Sequence, residues 1–208
     1  MRPYSQIEKE YKRHILRNFI RGLHHFGKSI MSKMDKINTS SSENVRNSKS
    51  HFCDNFGIPG VIGCIDGTHV KFMKPCQNEH LYFNRKGCFS INAMIICDYK
   101  MAIRAVDACH PGSCHDSFVF NLSSAKQLLL SKYESGDRNS CLLGDSGYGL
   151  DTFLLVPYRD PRAGTPQHKF NMQHSKARNI VERVLQCSKA VSNDCKLFCH
   201  MRPRKLLK

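Results

Sequence analysis

Val61-Ile62-Gly63-Cys64-Ile65-Asp66-Gly67-Thr68-His69 is an apolar run that ends on a carboxylate, with a glycine directly behind it. Val61, Ile62, Cys64 and Ile65 predict a buried strand over 61–66, bounded by Pro59-Gly60 before it and Gly67 after it. An acid at the rim of a buried strand is costly unless a cation meets it. A lone aspartate there would serve equally well as the cap of the next turn. The carboxylates further along the chain weigh against that plainer role.

Downstream the apolar period is that of strands. His69 to Lys74 alternates, and either continues the first strand or forms an edge of its own. Phe89 to Asp98 reads as a second strand and Met101 to Ala108 as a third, with Tyr99-Lys100 as the turn between them. Such close spacing predicts an antiparallel meander, broken by His110-Pro111-Gly112-Ser113. One helix is expected from Asp116-Ser117 through Leu130, with Asp116 at its amide-rich end. A fourth strand over Ser140 to Gly144 ends on Asp145, and Phe153 to Pro157 forms a fifth. After a Pro/Arg-rich loop, a helix over 168–189 carries Arg178, Glu182 and Lys189 within ~40° of one another on one face.

Upstream, Ile7, Tyr11, Ile15, Phe19, Leu23, Phe26, Ile30 and Met34 form the stripe of a long amphipathic helix over 5–34. A polar linker, 35–42, leads through Ser40-x-x-Glu43 into a short helix near 43–54 that Gly57 stops. The linker sets the divisions: an N-terminal helical extension over 1–55, a principal domain over 56–190 and a basic tail over 191–208.

The composition suits a polyanionic partner, since 32 Lys and Arg against 17 Asp and Glu leave a formal charge of +15. No run approaches the apolar length a membrane span requires, and the first residues lack the apolar core of a secretory signal. The 11 cysteines are therefore expected as reduced thiols, and no paired CxxC knuckles suggest zinc.

A basic chain that keeps acids inside apolar stretches needs a reason. If the first and fourth strands are neighbours, Asp66 and Asp145 meet, and the last helix can lay Glu182 over both. Converging carboxylates are ligands for hard cations such as Mg²⁺ or Mn²⁺. Two such ions assist phosphodiester cleavage, with a positive surround to hold the nucleic acid. Lys71, Lys74, Arg85 and Lys86 are candidate DNA contacts, and each would sit equally well on any polar surface.

Six ordered blocks resemble the PIF/Harbinger transposase-derived nucleases, which are related to the bacterial IS5-like transposases. They are Gly63-Cys64-Ile65-Asp66-Gly67-Thr68-His69, Asn84-Arg85-Lys86-Gly87, Pro111-Gly112-Ser113-Cys114-His115-Asp116-Ser117, Leu143-Gly144-Asp145-Ser146-Gly147-Tyr148, Pro157-Tyr158-Arg159-Asp160-Pro161 and His174 to Arg183. The resemblance implies an α/β, RNase H-like mixed sheet of three antiparallel plus two parallel strands, flanked by helices. It also implies a DDE endonuclease site that works with two divalent ions, Mg²⁺ or Mn²⁺. A nuclear location, with the cytoplasm as a further compartment, and a separate Myb-like DNA-binding partner are implied too.

Arg178-x3-Glu182-x6-Lys189 is similar to the arginine–glutamate–lysine signature of the IS5-like enzymes, which makes Glu182 the third acid. Arg178 and Lys189 would then position Glu182 or touch phosphate. Asp116 and Asp145 both lie in family blocks; the RNase H-like order favours Asp145 as the second acid, with Asp116 as an auxiliary acid or cap. His69 and His115 are expected to support the acids through hydrogen bonds. The family's helix-turn-helix region is reduced within 1–55, and the expected helix does not continue after Lys189, so the chain reads as a member shortened at both ends. The rival reading is a catalytically inactive, domesticated DNA-binding or scaffold protein.

Overall fold

The computed structural model describes residues 42–75 and 78–194, with side chains to 186. The predicted helix over 5–34, its linker before residue 42 and the tail beyond 194 lie outside the described residues, as does the side chain of Lys189.

One five-stranded sheet organises the fold, in the order β3-β2-β1-β4-β5. β1 (Val61–Lys71) pairs antiparallel with β2 (Ser90–Cys97), which pairs antiparallel with β3 (Ile103–Pro111). On its other side β1 runs parallel to β4 (Cys141–Leu143), which is parallel to β5 (Leu154–Leu155). Three antiparallel and two parallel strands thus share a mixed sheet, as an RNase H-like fold requires.

Helices cover both faces. β2 is buried along its whole length, so successive side chains serve opposite layers. Ile91, Ala93, Ile95 and Cys97 pack with Ala177, Val181, Val184 and Leu185 of α5 (Pro166–Asp194). Phe52, on α1 (Ser42–Phe56), enters this same layer. Met94 and Ile96 face the other way, toward Val119 and Phe120 of α3 (Asp116–Leu122) and Ala125 and Leu129 of α4 (Ser124–Glu134). A single-turn α2 (Glu79–Tyr82) leads into the loop before β2. Gly57, at φ +67°, takes the left-handed conformation that ends α1.

The structure corrects several expected boundaries. His69 to Lys71 continues β1 without a break. His110 and Pro111 extend β3 instead of interrupting it, because β3 is an edge strand where proline's missing N–H costs nothing. The helix expected from Asp116 to Leu130 is two helices. Ser123 is extended (φ −74°, ψ 148°), ends α3 and caps α4 by accepting a hydrogen bond from Lys126 N–H at 3.2 Å. The last helix is longer than 168–189 at both ends.

Candidate active site

The chain leaves β1 for β2 and β3 on one side and returns to β4 and β5 on the other. Such a switch point opens a crevice beyond the carboxyl ends of the parallel strands. β4 stops early: its pairing with β1 ends at Cys64↔Leu143. From Ile65 onward β1 keeps β2 on one edge and, among the described residues, has no strand on the other. Asp66 lies just past the last parallel pair, at the mouth of this notch.

Strand alternation turns Asp66 toward α5 and Gly67 toward α3. On the α5 side, Arg178 Nη2 lies 3.2 Å from Asp66 Oδ2, and Arg178 Nη1 lies 3.9 Å from Glu182 Oε1. Asp66 and Arg178 are largely buried, whereas the Glu182 side chain is 48 % exposed. Asp66 Oδ1 accepts the Gly67 N–H at 2.8 Å. Burial nevertheless pushes the Asp66 carboxyl up to about 6; Asp145 and Asp116 add to the rise, while Arg178 and the Gly67 amide oppose it.

On the α3 side, Asp116 is the first residue of its helix. Its carboxylate packs so closely on Gly67 that a Cβ at that position would overlap it. Asn92, the one amide of β2, donates from Nδ2 to Asp116 Oδ1 at 2.7 Å and to the Cys114 carbonyl at 3.0 Å. Asp145 follows β4, and its Oδ1 accepts the Gly147 N–H at 2.9 Å in an Asx turn. Asp66, Asp116 and Asp145 therefore flank one notch, with Glu182 reaching toward it from α5.

Among the described residues, no three His, Cys, Asp or Glu side chains stand as a ready metal cage. The Arg178 guanidinium lies between Asp66 and Glu182 and offsets part of their negative charge. The donor set still suits a hard cation, since carboxylate oxygens are its preferred ligands. A second observation agrees with that fit. Among the described residues three buried side-chain atoms have no hydrogen-bond partner: Asn92 Oδ1, Tyr148 Oη and Arg178 Nε. Asn92 holds Asp116, Arg178 holds Asp66, and Tyr148 follows Asp145 by one turn. Orphaned buried polar atoms are rare, and their concentration at one place marks a site that a water, ion or ligand completes.

The basic residues stand nearby. Asn84 is buried and ties its turn together by accepting the Lys86 N–H at 2.9 Å. Its amide donates to Ser90 Oγ at 2.7 Å, and Ser90 Oγ meets His69 Nδ1 at 3.0 Å. Arg85 Nη2 lies 2.6 Å from His115 Nδ1, beside Asp116. The Asn84–Gly87 turn is thus tethered to both β1 and α3, with Arg85 and Lys86 exposed. Lys71 is also exposed, and Lys74 is engaged with Glu79 at 2.6 Å. Arg178 is buried against the acids rather than turned outward.

Asn92, Tyr148 and the seat provided by Gly67 had no assigned role from sequence. Asn92 could have been found as the one amide in an apolar strand, which burial makes expensive without a purpose. The other two depend on long-range packing.

The family described as DDE superfamily endonuclease matches residues 65–191. Among curated proteins, "Putative nuclease HARBI1" of Rattus norvegicus is 37% identical over 144 residues, covering 68% of this chain and 40% of that protein. Its Bos taurus counterpart is 38% identical over 145 residues, with the same coverage. "Protein ALP1-like" of Arabidopsis thaliana is 29% identical over 177 residues, 79% of this chain and 40% of that one. The chain spans about 40% of the length of these curated relatives. No solved structure matches it.

Proposed function

Since this chain belongs to the DDE superfamily endonucleases, we propose that its notch is a metal-dependent site that cleaves phosphodiester bonds in DNA. The observation that carries this reading is the gathering of Asp66, Asp116 and Asp145 around the free edge of β1, with Glu182 within reach. These four acids would hold Mg²⁺ or Mn²⁺, two ions in the DDE manner. Divalent ions supply Lewis acidity and neutralise charge on phosphodiester oxygens.

The chain's own residues do the rest. Arg178 holds Asp66 in place and keeps Glu182 on the notch side of α5. Asn92 fixes the orientation of Asp116. Arg85 and Lys86, on their tethered turn, with Lys71 beyond them, offer positive charge to a DNA backbone lying across the notch. A strongly basic chain favours DNA as the partner, and nuclear residence follows from that substrate. A separate Myb-like protein would supply sequence recognition. Among the described residues no helix is long and apolar enough to cross a membrane.

Nicking of supercoiled plasmid by the full chain, with Mg²⁺ or Mn²⁺, tests the reading. Wild type should nick only with metal, and Glu182→Gln should lose at least about a hundredfold of that rate. Asp116→Asn and Asp145→Asn rank the two second-acid candidates by their residual rates. A folded wild type that shifts DNA on a gel yet never nicks it would instead establish the binding-only reading. The Arg178 contact, which engages one oxygen of Asp66, is what speaks for that alternative.

A further inference from the structure

Tyr148 is 4 % exposed, and its hydroxyl is buried with no hydrogen-bond partner. A tyrosine usually finds a partner for its O–H when buried, because leaving it unpaired forfeits the hydration it had in water. The ring is fixed from several sides. It meets Phe120 of α3 edge-on at 6.1 Å and an interplanar angle of 84°. Gly144 leaves room for it: a Cβ there would lie 3.2 Å from Tyr148 Cδ2 and 3.4 Å from Ile65 Cγ2. The Tyr148 N–H closes the turn on the Asp145 carbonyl at 3.2 Å. Tyr148 is therefore wedged between the three segments that carry Asp66, Asp116 and Asp145.

Resting on the metal-site reading above, we propose that Tyr148 is a positioning residue. Its hydroxyl donates a hydrogen bond to a water that the three aspartates share, and so sets their spacing for a divalent cation. Burial, followed by the charges of Asp116, Asp66 and Asp145, holds the phenol well above its ordinary range, so the group remains a donor throughout the working pH of a cell. No bond is made or broken at Tyr148. Its charged neighbours are Asp116, Asp66, Asp145 and Arg178, the groups that flank the notch, and the O–H is assigned to that side.

Mn²⁺ binding to the full chain, followed by electron paramagnetic resonance of the free ion, tests the proposal. Tyr148→Phe keeps the ring and removes only the oxygen. It should bind Mn²⁺ about tenfold more weakly, the low end for loss of a group that orients metal ligands. The metal-free protein should melt at or above the wild-type temperature, because an unpaired hydroxyl has been removed. A purely structural role would show the opposite pattern: a lowered melting point with unchanged Mn²⁺ affinity.

The chain has no Trp, so its near-ultraviolet spectrum belongs largely to tyrosine. Mn²⁺ should give wild type a tyrosine difference spectrum that Tyr148→Phe lacks. This readout on wild type stands even if the variant folds poorly. Equal Mn²⁺ affinity in the two proteins overturns the role of Tyr148 while sparing the metal site. A wild type that binds no Mn²⁺ overturns both.

Discussion

Asp66 carries opposing demands in one side chain. It is buried enough to be held by Arg178, yet in the proposed metal site it would have to ionise to serve as a ligand. Its folded carboxyl, near 6, lies above the ordinary value near 4, so the folded state holds this proton more tightly than the unfolded one. The stability this contributes is complete below about 4 and is lost as pH rises through about 6. Denaturant melts of the metal-free chain should therefore show wild type losing stability across that window, and Asp66→Asn showing a flatter profile. Equal slopes would mean that Asp66 is already ionised at low pH. The sequence exposed this residue clearly, because a carboxylate ending a buried strand is visible in the residue order. It could not show Arg178 folding back onto Asp66, since a helix face specifies direction only after the helix has docked.

At the scale of elements, Ser123 decides more than its size suggests. Its backbone is extended, its hydroxyl donates to the Phe120 carbonyl at 2.7 Å, and the same oxygen accepts the Lys126 N–H. Ser123→Ala should cost about 1 kcal/mol in urea denaturation by removing the cap of α4. Loss of far-ultraviolet helix signal around an intact core would accompany it. The apolar period of 116–130 runs on through this break, because both helices bury onto the same layer through Val119, Phe120, Ala125 and Leu129. That shared layer is why the sequence reads as one helix. Pro111 misled for a related reason: proline signals an end of pairing only where its partner edge is needed, and β3 stands at the border of the sheet. The strand count and the meander were legible because β2 and β4 are short apolar runs between turn signals, whereas the parallel neighbour came from the family resemblance.

Across the whole molecule, a chain of formal charge +15 carries a small acidic notch. Binding to duplex DNA should weaken steeply with salt, because each phosphate contact releases counterions. Lys86→Ala should lower the slope of log affinity against log salt by about 1, whatever the DNA sequence, as a phosphate contact does. An unchanged slope in filter binding would remove Lys86 from the interface. The family was legible from the order of blocks along the chain, and residues 65–191 match the DDE superfamily endonucleases as those blocks imply. How Asp116 and Asp145 share the site was not legible, since it turns on Gly67 having no side chain where Asp116 packs.

The parallel pairing of β1 with β4 has a consequence in time. β2 and β3 are joined by the short turn 98–102 and β1 reaches β2 through residues 72–89, whereas β4 must cross two helices to reach β1. Closure over such a separation is the slow step in building a sheet. Glu182 comes later still, on a helix that docks only once β1 and β2 present their apolar face. A partly made chain can therefore hold Asp66 on β1 and still lack Asp116, Asp145 and Glu182 around it. The acids gathered at the notch are by this order brought together last, when α5 docks and lays Glu182 beside them.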